Sequence, residues 1–417
     1  MTDPRLDPEG WLAGLDRVGW RFGLERIRLL CDQLGRPQEQ FASIHVVGSN
    51  GKTSVAQMTA ALLGEHGLAT GAYLSPHMAS WRERIRIHGE IAGDEFAEAV
   101  AGTAEAIEVV ERSLESGERV TQFEAATAAA FLALARAKVD VGVIEAGLGG
   151  RLDATNVIPS RVTVLTSISL EHTDLLGETE EEIATEKLAV LRESSILVVG
   201  RVSDRVASLA AAIAEERSSE LISVRDAGSE VPESVAGAYQ RRNFAVALAA
   251  AEAFRGRHLD GTAIEHVGGW TRLPARLELV RGDPPLILDA AHNPAGIEAL
   301  VESLPEIAGG RPVFAVLATL AEKPIEEICA SLARACETVV CTEIPGQVLE
   351  GVGRPGARSH EAAALAAACV AAGGTAELIA DPEAALDRAR RLAARCQGVV
   401  LVTGSFYLLA AMREISG

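Results

Sequence analysis

Residues 44–63 read IHVVGSNGKTSVAQMTAALL, a pattern that predicts a buried strand, a tight turn and a helix. The common phosphate-binding loop has a glycine, four further residues and then Gly-Lys-Ser/Thr. Counting back from Gly51, that first glycine would stand at position 46, but the sequence has Val46 there and Gly48 is the nearest glycine. The stretch is therefore either a phosphate loop with a shorter spacing or an ordinary strand–turn–helix that contains a lysine.

As a phosphate loop, the stretch would act through its backbone and two side chains. Backbone N–H groups at the turn and at the start of the helix would face an anion. Lys52 would reach the β- and γ-phosphates, and Thr53 would offer its hydroxyl to Mg²⁺. As an ordinary turn, Thr53 or Ser54 would only cap the helix.

The composition limits the classes of protein to consider. The chain has 417 residues, of which 48% are hydrophobic and 23% charged, which is typical of a globular protein with two or three domains. Its net charge of −19 argues against a nucleic-acid-binding surface, which needs clustered Lys and Arg. The six cysteines form no CxxC pair, as expected of reduced thiols in a cytoplasmic protein. No signal-peptide pattern and no bilayer-length apolar stretch occurs, so we expect no membrane attachment.

Short β-branched apolar runs alternate with helical segments, which predicts an α/β fold with parallel sheets. The first series of predicted strands covers 43–47, 70–74, 139–144, 162–168 and 196–199. The second series has strands at 286–289, 313–317, 338–342, 375–379 and 399–403, with helices near 295–303, 324–335, 361–372 and 382–395. We therefore predict an N-terminal P-loop-type ATPase domain at 1–270 and a smaller Rossmann-like domain at 275–417. The linker is placed at about 268–275, where GGWTRLPA mixes glycine and proline.

Polar residues follow two of the predicted strands in the first domain. The run VGVIEAGLGGRLDATN puts Glu145 at the end of a buried strand, where open α/β sheets bind ligands. Glu145 is either a Mg²⁺ ligand or the ion-pair partner of Arg151. The GLGG run is not a dinucleotide fingerprint, because no helical pattern opens after it. In the run TSISLEHTD, His172 is a metal or phosphate ligand or a structural histidine.

Three other segments carry candidate chemistry. Thr179 and Glu182 form a capping-type T-x-x-E at the start of a helix, in which Lys187, flanked by glutamates, would ordinarily be a solvated salt-bridging residue. The segments LSPH at 74–77 and DAAHNP at 289–294 put polar groups at strand ends, for ligands or for capping. Asn-Pro would start the following helix. No G-x-S-x-G and no H-E-x-x-H occurs, which removes the corresponding hydrolase classes.

Together these segments resemble the folylpolyglutamate synthase/dihydrofolate synthase family of the Mur ligase superfamily. The matching motifs follow the family's order from about residue 20 to 410: GSNGKTS (48–54), YLSPH and ERIRI (73–77, 83–87), TQFEAATAAAF (121–131), EAGLGGRLDATN (145–156), SLEHTDLLG (169–177), EKLAV (186–190), PARLELV (274–280), DAAHNP (289–294) and TGSFYL (403–408). The superfamily's loop is defined by G-x-x-G-K, which accounts for the absence of a glycine at position 46.

The resemblance implies an ATP-dependent amide ligase. The γ-phosphate of ATP would pass to a carboxylate of dihydropteroate or a reduced folate, and the amine of L-glutamate would then attack the acyl phosphate. ATP and Mg²⁺, with two ions, are the implied cofactors, and a monomer that binds neither nucleic acid nor membrane is expected. A cell-wall Mur ligase is the first alternative, although Mur ligases usually carry an extra N-terminal domain. A nucleotide-binding homologue that has lost catalysis is the second alternative.

The resemblance also implies roles for individual residues. The implied catalytic residues are Lys52, His172 and Lys187, the last matching a lysine that the superfamily often carbamylates. The implied Mg²⁺ ligands are Thr53 or Ser54, Ser75, Glu145, His172 and Lys187. The implied ATP contacts are Gly48, Ser49, Asn50, Gly51, Lys52, Thr53, Ser54, Asn243, Arg276, Asp289 and His292, and the implied substrate contacts are Arg84, Arg151 and Asp153. Because ATP would be contacted from both domains, domain closure is also implied.

Three positions depart from the family pattern. Thr53 stands where this branch usually has glycine after the loop lysine. Glu171 stands where aspartate usually precedes the motif histidine. Ala275 replaces the glycine of a Pro-Gly-Arg motif. These departures bear on the Mg²⁺ ligands and on the substrate rather than on the reaction class.

Overall fold

The computed structural model describes residues 2–15, 23–115, 117–270, 273–351 and 356–416. Its internal contacts divide the chain into two compact units. The first comprises Met1–Ser234 and Arg242–Trp270, and the second comprises Val235–Arg241 and Thr271–Gly417. The segment Val235–Arg241 thus groups with the second unit, whereas the sequence was divided once, at the predicted linker. Residues 271 and 272 of that linker lie outside the described residues.

The first unit is built on a seven-stranded sheet with the spatial order β3-β2-β4-β1-β5-β6-β7. Its strands are β1 Ala42–Val47, β2 Thr70–Tyr73, β3 Ile85–Ile87, β4 Val141–Glu145, β5 Val162–Leu165, β6 Ile196–Val199 and β7 Glu220–Ser223. All neighbouring pairs are parallel except β2 and β3. The central strands are buried because helices cover both faces, as parallel sheets require.

Helices connect these strands. They are α1 Pro8–Ala13, α2 Glu25–Gln33, α3 Lys52–Glu65, α4 Gly93–Val110, α5 Gln122–Arg136, α6 Thr173–Leu176, α7 Glu180–Leu188, α8 Asp204–Glu216, α9 Ala238–Arg255 and α10 Gly261–Trp270, with 3₁₀ turns at Pro37–Glu39, Trp81–Arg84 and Ala154–Val157. The predicted capping of α7 is confirmed: the Thr179 hydroxyl accepts from Glu182 N–H and the Glu182 carboxylate accepts from Thr179 N–H.

The second unit is built on a six-stranded sheet with the spatial order β12-β11-β10-β13-β9-β8. Its elements are β8 Glu278–Val280, β9 Leu286–Leu288, α11 Pro294–Ile307, β10 Val313–Leu317, α12 Ile325–Ala335, β11 Thr338–Cys341, α13 Gly346–Gly351, α14 Ala362–Ala371, β12 Ala376–Leu378, α15 Pro382–Arg395, β13 Val399–Thr403 and α16 Phe406–Ser416. Only the β8–β9 pair is antiparallel. As predicted, Asn293 caps α11 and Pro294 is its first residue.

The predicted α/β class with parallel-dominated sheets is confirmed. The predictions did not include the edge strands β3, β7 and β8. Each is three or four residues long and partly exposed, so none shows the continuous apolar run of a buried strand. Among the described residues, no helix combines the length and apolarity needed to cross a membrane.

One feature of the first sheet determines where functional groups collect. Strand β1 lies between β4 and β5, with Val46 opposite Glu145 on one side and Val47 opposite Leu165 on the other. The loop after β1 therefore emerges between the carboxyl ends of β4 and β5. Such an edge is where open α/β sheets bind ligands.

Candidate active site

The loop between β1 and α3 requires glycine at two positions, because side chains from elsewhere in the unit approach its backbone closely there. Gly51 has φ +85°, and a Cβ atom there would lie 2.6 Å from the Asn243 side-chain oxygen. Gly48 has φ +149°, and a Cβ atom there would lie 2.0 Å from Thr166 Oγ1. Both positions thus need glycine for space and for backbone conformation. The contact with Gly51 also places the predicted ATP residue Asn243 directly beside the loop.

Lys52, the first residue of α3, folds its side chain back over the loop. Its Nζ donates to the Gly48 carbonyl at 3.0 Å and to the Ser49 carbonyl at 3.3 Å. The ammonium group therefore lies over the turn, next to the helix N-terminus, whose first N–H groups have no partner within the helix. This combination of a fixed cation and oriented N–H groups can hold a phosphate.

Thr53, Glu145 and Ser75 meet at the carboxyl edge of the sheet. Thr53 Oγ1 donates to Glu145 Oε1 at 3.0 Å, and the Ser75 backbone N–H donates to Glu145 Oε2 at 3.1 Å. Glu145 is 1% exposed, so its carboxylate is held by these donors away from bulk water. By contrast, Ser54 is fully buried and its hydroxyl has no hydrogen-bond partner among the described residues. Of the two hydroxyls predicted for the metal, the geometry favours that of Thr53.

The donor set fits a hard divalent cation at a nucleotide site. Within the described ranges, no group of three or more His, Cys, Asp or Glu side chains could by itself hold a metal ion. Mg²⁺ at nucleotide sites uses one or two carboxylates and takes its remaining oxygens from phosphate and water. The buried Glu145 carboxylate with the Thr53 hydroxyl supplies that small protein contribution.

Lys187 is the most perturbed lysine of this region. It is 5% exposed near the end of α7, so the interpretation of a solvated salt-bridging residue is wrong. Its pKa is lowered from 10.5 to about 7, chiefly by burial and also by the nearby charge of Lys52, while Glu171, Asp153 and Glu186 oppose the shift. A perturbed pKa beside a candidate phosphate loop is typical of functional groups.

Gly150 seats the loop after β4 against the helix that carries Lys187. A Cβ atom at Gly150 would lie 2.6 Å from the Lys187 carbonyl oxygen and 2.8 Å from that of Glu186. The Arg151 N–H donates to the Glu186 carbonyl at 3.1 Å. The GLGG run therefore allows close packing between a loop and a helix, and the described structure has only a short 3₁₀ turn after it, as expected.

His172 occupies a strained backbone position. Its φ and ψ are +53° and +43°, in the left-handed region that non-glycine residues rarely adopt, and it begins the short helix α6. Its Nε2 lies 3.8 Å from Glu171 Oε1, and both side chains are mostly buried. Strain of this kind often occurs at functional sites. The segment after β5 thus presents an imidazole and a carboxylate together.

Two predicted substrate residues make other contacts. Arg151 forms a 3.1 Å ion pair with Glu186, so its suggested pairing with Glu145 is wrong. Asp153 is buried and serves the loop itself, since its carboxylate accepts from Leu148 N–H, Thr155 N–H and the Thr155 hydroxyl. Burial raises the pKa of Asp153, and these hydrogen bonds oppose that shift.

The predicted substrate residue Arg84 lies against an aromatic pair. Its guanidinium stacks over the Trp81 ring, with 4.4 Å to the ring centroid, and its Nε donates to His77 Nδ1 at 2.8 Å. Because His77 Nδ1 accepts, a neutral His77 carries its proton on Nε2. Leu12, Tyr73 and Phe96 line a small cavity together with Trp81 and Arg84.

In the second unit, Asp289 organises the carboxyl end of β9. It is 3% exposed and accepts from the Tyr239 hydroxyl, from Leu277 N–H and from Ala291 N–H. Burial raises the pKa of both Asp289 and Tyr239. Asp289 is thus a buried acceptor that holds the strand end, a role that sequence alone did not indicate.

Arg276 and His292 both lie beside Phe406 within the same unit. The Arg276 guanidinium is 4.4 Å from the Phe406 ring centroid, and the His292 and Phe406 ring centroids are 6.4 Å apart. His292 Nδ1 donates to the Ala290 carbonyl at 2.9 Å, which orients the imidazole ring. The structure therefore brings the three predicted ATP residues of this unit to one strand edge.

Several contributing residues were not predicted. Tyr239 and Phe406 orient Asp289, Arg276 and His292, as described above. Thr166, Ser167 and Ser169 contact the phosphate loop from the end of β5. The only sequence signal for these hydroxyls was the polar run TSIS after an apolar strand, which does not by itself indicate a partner.

Known proteins share both the sequence pattern and the fold. Residues 46–229 match the Mur ligase middle domain, and residues 275–406 match the Mur ligase glutamate ligase domain. A dihydrofolate synthase/folylpolyglutamate synthase of Mycobacterium tuberculosis is 35% identical over 381 residues, which is 82% of this chain and 77% of that protein. The chain belongs to the dihydrofolate synthase/folylpolyglutamate synthase family.

Solved structures of this family superpose on the whole chain. The M. tuberculosis folylpolyglutamate synthase complexed with ADP gives a TM-score of 0.88 at 32% identity and covers 99% of this chain and 98% of its own. The bifunctional synthase of Yersinia pestis, complexed with AMPPNP and a Mn ion, gives 0.83 at 29% identity, covering 100% and 98%. The predicted family and the enzyme class, an ATP-dependent acid–amino-acid ligase, are confirmed. The peptidoglycan and non-catalytic alternatives are not favoured.

The perturbed lysine of this synthase predicts a pH-dependent stability. In the unfolded chain Lys187 has an ordinary pKa, and in the folded chain its pKa is about 7. At pH 7 and below, the folded protein bears nearly the full cost of burying the ammonium, on the order of 5 kcal/mol. This cost fades as pH rises from about 7 towards 10.5, because the unfolded chain then loses its proton as well. We expect Lys187→Met to raise the free energy of unfolding of the metal-free, nucleotide-free protein, most strongly at pH 7 and below.

Urea unfolding of the two proteins between about pH 6 and 10 measures this difference. Lys138→Met, at an exposed lysine, is the matched control and should show no such pH dependence. A gain in stability from Lys187→Met that stays constant with pH would contradict the interpretation of a buried amine.

The close packing at Gly150 predicts a second stability effect. In Gly150→Ala the new methyl group would press on two backbone carbonyls that cannot rotate away, so we expect a loss of about 1–3 kcal/mol. Gly93→Ala, at the open first position of α4, is the control and should be neutral or stabilising by up to about 1 kcal/mol. Unfolding of Gly150→Ala at the wild-type urea midpoint would refute the packing argument.

Proposed function

We propose that this ligase joins L-glutamate to the carboxylate of a pterin-containing acid, either dihydropteroate or a reduced folate, or both. The main support for this proposal is the set of side chains that lies at one edge of the sheet in the first unit. There the phosphate-type loop, the Thr53–Glu145 pair and the buried Lys187 lie within electrostatic reach of one another. Family membership supports the same reaction class, and the relatives' names support the pterin substrate.

The substrate carboxylate is a poor electrophile, so it must be activated before the glutamate amine can attack it. One oxygen of the substrate carboxylate attacks the γ-phosphorus of ATP, the bond to the β-phosphate oxygen breaks and ADP leaves. The glutamate nitrogen then attacks the acyl carbon of the acyl phosphate, inorganic phosphate leaves and the nitrogen loses a proton. Both partners of the first step are anions, so a fixed cation must offset their repulsion. Lys52 and the N-terminal N–H groups of α3 would do so, since the Lys52 ammonium lies over the turn that precedes this helix.

A divalent cation, proposed to be Mg²⁺, would be held by Thr53 and Glu145 at the nucleotide. A second ion would be held by Glu145, His172 and a modified Lys187. When bound, such ions neutralise the charge that develops on the transferring phosphoryl group. The strained backbone of His172 and the burial of Glu145 support these assignments, because both groups are held in place before any ligand arrives.

Carbamylation of Lys187 would convert a buried cation into a buried anion. The neutral amine attacks CO₂, a nitrogen–carbon bond forms, one carbon–oxygen π pair moves to oxygen and a proton leaves the nitrogen. A pKa of about 7 makes about half of the amine reactive at neutral pH, whereas an ordinary lysine would be almost wholly protonated. The nearby Lys52 disfavours the ammonium form and favours the carbamate anion.

Residues outside the phosphate-type loop would contact the substrate and the nucleotide. Arg84, half-buried on its aromatic support, would bind a substrate carboxylate, while Arg151 and Asp153 would shape the adjoining loop. The second unit would contribute Arg276 and His292 to the nucleotide. The Mg²⁺ identity, the count of two ions, a monomeric state, the lack of nucleic-acid binding and a cytoplasmic location remain predictions from sequence.

Phosphate release from ATP tests the proposed function. Purified protein with L-glutamate would be offered dihydropteroate, tetrahydrofolate or a UDP-muramoyl peptide in parallel. We expect release with at least one of the pterin acids and none with the muramoyl peptide. Release only with the muramoyl peptide would move the chain to the cell-wall branch, and release with none would reject the ligase function as stated.

Chemical rescue tests the role of Lys187. We expect Lys187→Ala to abolish turnover, because no carboxylate-like group would then stand at the end of α7. Short carboxylic acids such as acetate should restore part of the activity, while Lys138→Ala should retain full activity without them. Full activity of Lys187→Ala in the absence of added acid would refute the carbamate role.

A further inference from the structure

The segment that follows β5 contacts Asn50 of the phosphate-type loop through three hydroxyl groups, those of Thr166, Ser167 and Ser169. We call Thr166, Ser167 and Ser169 the hydroxyl latch. Thr166 is 6% exposed, and its Oγ1 donates to the Asn50 carbonyl at 2.6 Å. The reaction chemistry described above assigns no role to these hydroxyls. Thr166 Oγ1 also lies 3.3 Å from the Val47 carbonyl, at the end of β1.

The latch surrounds one peptide unit of the loop. The Ser167 hydroxyl donates to the Asn50 carbonyl at 3.0 Å and accepts from the Asn50 N–H at 3.0 Å. The Asn50 carbonyl therefore receives two hydroxyl donors, one from Thr166 and one from Ser167. A carbonyl has two lone pairs, so this acceptor is fully satisfied. The orientation of residue 50 is consequently set by the strand end rather than by the loop itself.

A second set of bonds fixes Ser49 in the same way. Its N–H donates to the Ser167 carbonyl at 2.8 Å, and its hydroxyl donates to the Ser169 carbonyl at 3.2 Å. The Ser169 N–H in turn donates to the Ser49 hydroxyl at 3.0 Å. Because of these hydrogen bonds, the N–H groups of Ser49 and Asn50 point towards the end of β5. The phosphate would then face the later N–H groups, from Gly51 onward.

The loop and the segment after β5 approach each other so closely that position 48 requires glycine. A Cβ atom at Gly48 would lie 2.0 Å from Thr166 Oγ1 and 3.1 Å from the Ser167 carbonyl oxygen. The first glycine of the loop is therefore required by the latch, independently of any contact with phosphate. The same segment continues directly into Glu171 and His172, which places the latch and that pair on one short piece of chain.

We propose that the Thr166 and Ser167 hydroxyls are positioning groups that hold the loop in its nucleotide-binding shape before ATP arrives. This inference rests on the proposed function, because it takes the loop as the nucleotide site. Ordering a loop in advance removes an entropic cost from binding. The cost of losing the latch therefore falls on nucleotide affinity, while the chemical step, once ATP is bound, proceeds nearly as before.

The test compares two variants of Thr166, one of which lacks the hydroxyl and one of which keeps it. Thr166→Val keeps the shape and removes the hydroxyl, whereas Thr166→Ser keeps the hydroxyl and removes a methyl group. We expect Thr166→Val to raise the KM for ATP and the Kd for ADP by about fivefold to tenfold, with kcat changed by less than about threefold. Thr166→Ser should stay within about threefold of the wild type in both constants.

Ser167→Ala is measured beside them, so that the test survives if Thr166→Val fails to fold, and the same fivefold to tenfold loss is expected. Combining it with Thr166→Val should weaken ADP binding by less than the product of the two single effects, because both act on the Asn50 peptide. Ser208→Ala removes an exposed hydroxyl bonded only within α8, to Asp204, and should leave both constants unchanged.

Calorimetric titration with ADP and Mg²⁺ separates the failures. If the wild-type protein binds no ADP, the proposed function and the latch both fall. If the wild type binds ADP and both hydroxyl-free variants bind it equally tightly, the latch alone is overturned. If Thr166→Ser weakened binding as much as Thr166→Val, keeping the hydroxyl would not preserve affinity, and the positioning role of the hydroxyl would likewise be overturned.

Discussion

The burial of one amine, that of Lys187, constrains much of the first unit. An ammonium group removed from water needs compensation, and here Glu171, Asp153 and Glu186 supply only part of it while Lys52 acts against it. The helix that carries the amine must also approach the loop after β4 closely, which only a residue without a side chain at position 150 permits. Gly150, the close contact of the loop after β4 and the lowered pKa are therefore all consequences of placing the Lys187 amine in the interior.

The phosphate-type loop illustrates how a short motif depends on its surroundings. Its two glycines are required by side chains from elsewhere in the unit, Thr166 at Gly48 and Asn243 at Gly51. The shorter spacing leaves Val46 free to complete the buried strand, where it pairs in register with Glu145. The loop, the carboxylate and the threonine of α3 consequently meet because β1 is central in the sheet, and strand order rather than local sequence brings them together.

Sequence alone predicted the alternation of strands and helices, because buried parallel strands are short, apolar and β-branched. It also predicted that Glu145, His172 and Lys52 are functional candidates, since each follows a strand or opens a helix. It could not predict the edge strands, whose residues are half exposed, or the burial of Lys187, whose neighbours in sequence are glutamates. Burial and the latch contacts depend on residues more than a hundred positions apart, such as Ser49 and Ser169, and no local pattern encodes them.

The second unit shows how a departure from the family pattern is accommodated. Ala275 and Leu277 have φ values of +58° and +52°, a conformation that costs a non-glycine residue about 1–2 kcal/mol and that the glycine of a Pro-Gly-Arg motif would adopt without this cost. Hydrogen bonds hold the segment in place, from Leu277 N–H to Asp289 and from Ala290 N–H to the Ala275 carbonyl. The Ala275 methyl is completely buried, which offsets part of the strain. The alanine therefore changes the local energy while Arg276, between the two strained residues, keeps its stacking on Phe406.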